Sequence, residues 1–493
     1  MRTGEKILVA GSGIAGLGAA LALGNGSRDV TILDRDPPPP QGSAEDAFHN
    51  WERKGATQLR HSHAFLGRLT TLIRERYPDL MAELLAEGTR LFGFADGLPV
   101  SLAKNYVPAP GDEDCKLLFS RRTTLELILR RYAAKLPGIT FVTDAGVRGL
   151  IARREGGRLI AEGLKVERDG AVQDLRADVV VDASGRNTSF PDWLRAEGVS
   201  VHEESSPCGI LYFTRHYRLR DGESEPPRDG VPGAGDLGYI KFGVFIADNR
   251  HFSVTLATPE IETEMRMAVM KPENFDAICM ALPGAARWMN PERAEPASPV
   301  FAMGNLHNVW RHTLKDGEPQ VLNFFAIGDA AVRTNPLYGR GCSAGVVGAH
   351  LLRAALDSSA SPVERAKTYE RELAAAYRPY FDSMVELDLN AIRRAAHERN
   401  PDYRPGLRAR LTRSFAEDGL MPAQRGDVEV SRAMSRIFHM LDEPGAFVRR
   451  PAIMARIMRI WAMSVAEKNR LGLYPPKAGP DRAGMLALLN IAA

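Results

Sequence analysis

Three glycines, Gly11, Gly13 and Gly16, follow the short apolar run KILVA and open a segment of small residues with helical spacing. Glycine at the first position permits a tight turn, at the second it lets backbone approach a pyrophosphate, and at the third it lets helix and strand pack closely. The helix start then faces the phosphate charge. A second strand-like run, DVTILDRD, carries Asp34, 23 residues after Gly11, where a carboxylate accepts hydrogen bonds from ribose hydroxyls. The segment predicts a β-α-β dinucleotide site holding its ligand through Gly11, Ser12, Gly13, Ile14, Ala15, Gly16, Asp34 and Arg35. An acid at position 34 disfavours a 2′-phosphate, and so disfavours NADP in this first site.

A distant stretch, IGDAAVRTNPLYGRGCSAG, points to FAD over NAD. A strand ends in Gly328 and Asp329, and a loop containing Pro336, Gly339 and Gly341 leads into a small-residue helix near Cys342. Asp329 there suits a ribityl hydroxyl, and the later helix start suits the pyrimidine end of a flavin, which is negative when reduced. A glycine-rich helix entry with a capping aspartate is the plainer alternative.

The chain has 493 residues, 44% of them apolar, enough for two or three packed units. Basic and acidic residues nearly balance, 64 against 61, without a dense basic block, which argues against nucleic acid. Cys115, Cys208, Cys279 and Cys342 form no C-x-x-C pair, so no metal site and no disulfide framework is expected, and a cytoplasmic location fits. The apolar run 7–24 contains five glycines and leads into a strand, so it reads as mature structure and not as a signal segment. No transmembrane helix is expected.

The fold class expected is α/β, α+β overall. A discontinuous FAD-binding domain of Rossmann type, 1–200 with 316–360, encloses a β-sheet substrate domain, 201–315, and a helical region follows over 361–493. The Pro-rich segment after Asp34 reads as a long loop crossing the cofactor site.

The segments ILVAGSGIAGLGAALAL with VTILDRD, SRRTTLELILRR, DVVVDASGRNTSFPDWL and AIGDAAVRTNPLYGRGCSAG together resemble the FAD monooxygenase superfamily of the para-hydroxybenzoate hydroxylase type, with its halogenase and geranylgeranyl-reductase-like relatives. The resemblance implies further FAD contacts from Arg122, from backbone near Val147, from Asp182, Ala183 and Ser184, and from Gly328, Asp329, Gly341 and Cys342. It also implies oxygen activation on reduced FAD, as a hydroperoxide, with hydroxylation or epoxidation of an organic substrate; the apolar middle segment suggests that this substrate is apolar and secondary-metabolite-like. Typical hydroxylases of the group carry Asp-Gly where this chain has Asp182-Ala183-Ser184-Gly185. That stretch looks more like the halogenase and reductase branches, so electrons come from NADH or NADPH directly or through a separate flavin reductase. The W-x-W-x-I-P signature of tryptophan halogenases is absent.

In QLRHSHAFLGR, Arg60 is a candidate for the pyrophosphate, and His61 a candidate for hydrogen bonding or covalent attachment to flavin. His61 and His63 read equally well as structural loop contacts. His61 and Pro336 are the catalytic candidates. Cys342 lies near a helix start, which would lower a thiol pKa, although a small packing residue is the simpler reading. Tyr212, Phe213, Tyr239 and Phe242 are candidates for an apolar pocket or for plain core. A dehydrogenase or reductase acting on a carbon–carbon bond, a reductase-fed halogenase and a non-catalytic flavin protein are the alternatives, and the oligomeric state is open.

Overall fold

The computed structural model describes residues 4–227, 230–400 and 402–491. Five parallel strands form the first sheet, in the order Phe324–Ala326, Val179–Asp182, Glu5–Ala10, Arg28–Leu33 and Ile139–Val142. Ala10 lies opposite both Leu33 and Asp182, and Asp182 opposite Ala326, so four carboxyl ends finish at one edge. Ligands of open parallel sheets bind beyond that edge.

The helix Ile14–Leu23 is buried at every position, because its small side chains let it sink between the sheet and the helix Gly341–Ser358. A Cβ at Gly18 would lie 2.9 Å from the Val346 Cα, a separation that only glycine tolerates. The segment after the Pro-rich stretch forms two helices, Gly67–Arg76 and Pro78–Ala86, since Pro78 can start a helix but cannot continue one.

The middle of the chain builds an antiparallel sheet around Lys241–Ile246, His251–Pro259 and Ile210–Leu219. Strand alternation gives it two unlike faces. Phe213, Tyr217, Phe252, Val254 and Leu256 join a core with Met265, Val269, Phe275 and Ile278 of the following helices. Tyr212, Thr214, Thr255 and Ala257 face the other way, onto a cavity shared with the parallel sheet.

The core does not divide at residue 361. The 37-residue helix Pro362–Glu398 buries Tyr369, Leu373, Tyr377, Tyr380, Phe381 and Met384 in the same core as Ile7, Val9 and Val181. Its apolar stripe needs a partner surface, and the helical layer of the parallel sheet provides one. Residues after Leu407 form a small core around Ala423, Val430, Ile457 and Ile460, whereas Met485 and Leu486 of the last helix pack into the middle sheet.

Candidate functional site

A cavity of about 710 Å³ lies between the carboxyl edge of the parallel sheet and the Thr214 face of the middle sheet. Its floor is the glycine turn. Gly11 has φ +104°, and a Cβ there would lie 2.6 Å from the Ala183 carbonyl. Gly16 sits behind the turn, where a Cβ would meet the Gly11 carbonyl at 1.9 Å, while a Cβ at Gly13 would meet nothing within 4 Å. The first and third glycines are therefore demanded by packing, and the second opens directly onto the cavity.

Asp34 is nearly buried at the end of its strand. Its Oδ2 accepts from the Ser12 N–H at 3.1 Å, from the Ser12 hydroxyl and from Arg53 Nη2 at 3.3 Å, and its Oδ1 accepts from the Asp36 N–H at 2.9 Å. Oδ1 thus keeps an acceptor position for a ligand hydroxyl. Arg53 is also paired with Asp36 at 3.3 Å and with Glu126 at 3.6 Å. Glu126 in turn holds Arg122 Nε at 2.7 Å, and Arg122 Nη1 donates to His63 Nε2 at 3.0 Å. His63 Nδ1–H donates to the His61 carbonyl at 2.8 Å. Because arginine only donates, His63 is a neutral Nδ1–H tautomer, and burial with the Arg122 charge holds its pKa well below the usual value. Burial also lowers His61 to about 4, and its Nδ1 lies 3.1 Å from the Thr214 hydroxyl.

On the opposite wall, Tyr212, Pro336, Leu337 and Tyr338 border the cavity. Tyr212 donates to Asn335 Oδ1, and Tyr338 donates to Asp388 Oδ1 at 3.0 Å. Asp388 also accepts from Asn335 Nδ2 at 2.9 Å and from Asn308 Nδ2 at 2.7 Å. The two tyrosine hydroxyls are therefore committed to the wall, and their rings are what the cavity meets.

Three comparisons bear on this geometry. No family model matches the sequence. Protein Rv3254 of Mycobacterium tuberculosis is 27% identical over 397 residues, covering 76% of this chain and 78% of that protein. CmlS, a flavin-dependent halogenase, matches with TM-score 0.59 and 18% identity over 88% of this chain and 77% of that one. PqsL of Pseudomonas aeruginosa, described as a probable FAD-dependent monooxygenase, matches with TM-score 0.54 and 16% identity over 80% of this chain and 98% of that one. The chain has the FAD-dependent monooxygenase and halogenase fold.

Within this fold the residues present suit a dinucleotide flavin. The glycine turn leaves a cradle that a Cβ at Gly13 would enter, and Asp34 stands at the end of the second strand. Asp329 borders the same cavity, and among the described residues no donor hydrogen-bonds its carboxylate. Burial raises the Asp329 pKa, with Arg122 and Arg333 opposing the rise. A carboxylate desolvated without a donor of its own fits a ligand hydroxyl.

The cavity brings together Gly11, Ser12, Gly13, Ile14, Ala15, Asp34, Arg35, His61, Arg122, Val147, Ala183, Ser184, Gly328, Asp329, Pro336, Gly341 and Cys342 from segments spread over 330 residues of chain. Arg60 is not among them. Its Nε donates to the Phe48 carbonyl at 2.8 Å and its Nη2 to the Trp51 carbonyl at 3.1 Å, because the helix Ala44–Asn50 ends there with unpaired carbonyls. That helix was itself legible in the segment expected to be loop, through Ser43 and Asp46, which form a capping box. Asp182 does not line the cavity either. Its oxygens accept from the Ser184 N–H at 2.9 Å and from the Thr188 hydroxyl at 2.6 Å, which shapes the following turn. Cys342 lines the cavity, but burial pushes its thiol up to about 11 and overrides any lowering by the helix start. Phe213 and Tyr239 face the core under the middle sheet, Tyr212 lines the cavity, and Phe242 belongs to that core while also bordering the cavity.

Arg53, Arg186, Arg333 and Asp388 were not found by sequence reasoning. Arg53 and Arg333 stand in loops or short strands without periodicity, and Asp388 sits on a helix whose other charged residues are mostly exposed. Among the described residues, no group of three His, Cys, Asp or Glu side chains could hold a metal, and no helix is long and apolar enough to cross a membrane.

Proposed function

We propose that the chain is an FAD-dependent oxidoreductase, a monooxygenase that hydroxylates or epoxidises an apolar organic substrate. The observation that carries this reading is a single cavity whose floor is the Gly11–Ala15 turn with Asp34 and Asp329, and whose far wall is formed by Phe242, Val244, Phe245, Ile246, Met303 and Leu306. Bound FAD would supply two-electron redox chemistry and reaction with molecular oxygen. The chain supplies the rest. Ser12, Gly13, Ile14 and Ala15 present backbone to the pyrophosphate, and Asp34 and Asp329 accept ligand hydroxyls. The apolar wall excludes water, which protects a reactive species from side reactions. His61 and His63 stay neutral at physiological pH, and among the described residues no arginine hydrogen-bonds the His61 ring, whereas Arg122 holds that of His63.

The fold shared with CmlS and the Asp182-Ala183-Ser184-Gly185 turn support a second reading, a halogenase-like enzyme fed by a separate flavin reductase. Lys241 is the one lysine lining the cavity among the described residues, and Asp236 holds its ammonium in an ion pair.

The test begins with the absorption spectrum of the purified protein before and after denaturation, followed by anaerobic addition of NADH or NADPH. Released FAD that a nicotinamide bleaches supports a self-contained monooxygenase. Released FAD that bleaches only with an added flavin reductase supports the second reading, and incorporation of labelled oxygen or of bromide into product then separates oxygenation from halogenation. A flavin dehydrogenase would incorporate neither. A chain that carries no flavin and binds no added FAD overturns both readings.

A further inference from the structure

Most cationic side chains around the cavity have an acid of their own. Arg53 is paired with Asp34, Asp36 and Glu126, Arg122 with Glu126, and Arg148 with Glu167. Arg186 and Arg333, which border the cavity beside the Ser184–Gly185 turn and the Asp329 loop, are different. Arg333 Nε donates to the His307 carbonyl at 2.9 Å and its Nη1 to the Arg186 carbonyl at 3.2 Å, while Arg186 Nη2 donates to the Asn305 carbonyl at 3.3 Å. Among the described residues no carboxylate forms an ion pair with either guanidinium. Arg186 Nε is buried and makes no hydrogen bond.

Backbone carbonyls therefore fix both guanidiniums in place without neutralising them. A third arginine, Arg311, stands close enough to repel Arg333, and is itself paired with Glu203 at 3.5 Å. The crowding is visible in Arg333, whose pKa is lowered by burial and by the charges of Arg186 and Arg311. Asp329 is the carboxylate whose charge opposes this, and one carboxylate against two unpaired cations leaves an excess of positive charge. Confining such cations at a cavity wall is costly unless an anion completes the set.

We propose that Arg186 and Arg333 form an anion-binding subsite of the cavity that takes a phosphate or carboxylate group. Guanidiniums held by their other nitrogens present remaining N–H donors to an oxyanion, which is the planar, charge-assisted recognition for which arginine is suited. The anion comes either from the pyrophosphate of bound FAD, an arm that rests on the reading above, or from a second molecule sharing the cavity.

The experiment compares the wild-type protein with the Arg186→Gln/Arg333→Gln and Arg186→Lys/Arg333→Lys double variants, each checked for folding by circular dichroism. Inorganic pyrophosphate is titrated calorimetrically into apoprotein and into protein saturated with FAD. On apoprotein the glutamine variant is expected to lose about tenfold or more in pyrophosphate affinity, and the lysine variant to keep most of it. If FAD abolishes wild-type pyrophosphate binding and the glutamine variant binds FAD more weakly, the anion is the pyrophosphate of FAD. If pyrophosphate still binds the FAD-saturated protein and only the glutamine variant loses it, the anion belongs to a second molecule. Equal pyrophosphate binding by wild-type and glutamine apoprotein, or none by wild type, overturns the proposal. Wild-type protein that binds pyrophosphate but not FAD would remove the flavin reading and leave the subsite standing.

Discussion

The Asp388 carboxylate accepts the side-chain amide of Asn335 at 2.9 Å across 53 residues of chain. Through that bond, and those from Tyr338 and Asn308, the long helix Pro362–Glu398 holds the Pro336–Tyr338 turn against the cavity. Every side chain that reaches Asp388 in this way is a donor, so the network requires an acceptor there. Burial raises the carboxyl pKa, and the donors act against the rise.

Replacing Asp388 with leucine leaves the Asn308, Asn335 and Tyr338 donors buried and unpaired. Leaving a buried donor unsatisfied costs about 1–3 kcal/mol, so Asp388→Leu should unfold at markedly lower urea concentration. Asp388→Asn should fall between that variant and wild type. A leucine variant as stable as wild type would show that the network does not hold the turn.

The glycines of the first turn should separate stability from binding. In Gly16→Ala the new methyl meets the Gly11 backbone, which cannot retreat cheaply, so a loss of about 1–3 kcal/mol in unfolding free energy is expected. Gly13→Ala has free space and should stay within about 1 kcal/mol of wild type. Its methyl occupies the cradle, however, and FAD affinity measured by fluorescence quenching should drop about tenfold or more. Wild-type FAD affinity in Gly13→Ala would place the dinucleotide elsewhere.

Burial depresses the pKa of His216 to about 3 and that of His61 to about 4. Below the usual histidine value of about 6.5 the unfolded chain takes up protons that these buried rings refuse. Their contribution to stability is therefore complete above that value and is lost as pH falls toward 4. In the His216→Asn variant the fall in melting temperature between pH 7 and pH 4 should be shallower than in wild type. Parallel curves would contradict the burial of that ring in its neutral form.

All four cysteines are buried, and burial raises the pKa of each thiol. A protonated, enclosed thiol is a poor nucleophile. The native protein should therefore react with a disulfide reagent at well under one thiol per chain at pH 8, and with four after denaturation. Rapid native labelling of Cys342 would contradict the burial of its thiol in protonated form.

How much of the site was legible follows from how local each signal is. Gly11, Gly13, Gly16 and Asp34 answer to one β-α-β unit, and the Gly328-Asp329 and Gly341-Cys342 pairs to one strand, loop and helix, so residue type and spacing were enough. Arg60 was misplaced because the choice between a phosphate and the carbonyls of Phe48 and Trp51 depends on where a short helix ends. Arg186 and Arg333 carried no signal, since an arginine without an acid is recognisable only once its neighbours are known. Arg121 and Asp248 make the same point in a buried ion pair at 2.8 Å that joins the Arg122–Ala133 helix to the middle sheet across 127 residues.

The sequence by itself determined the dinucleotide floor and the two-faced middle strands, because backbone conformation at glycine, strand alternation and helix spacing are settled within a few residues. Only the tertiary structure decided which charges face the cavity, which are neutralised, and that Asp388 rather than a loop residue anchors the wall. Those outcomes depend on hydrogen-bond and ion-pair partners that are distant in the chain, and burial alone makes such pairings strong enough to matter.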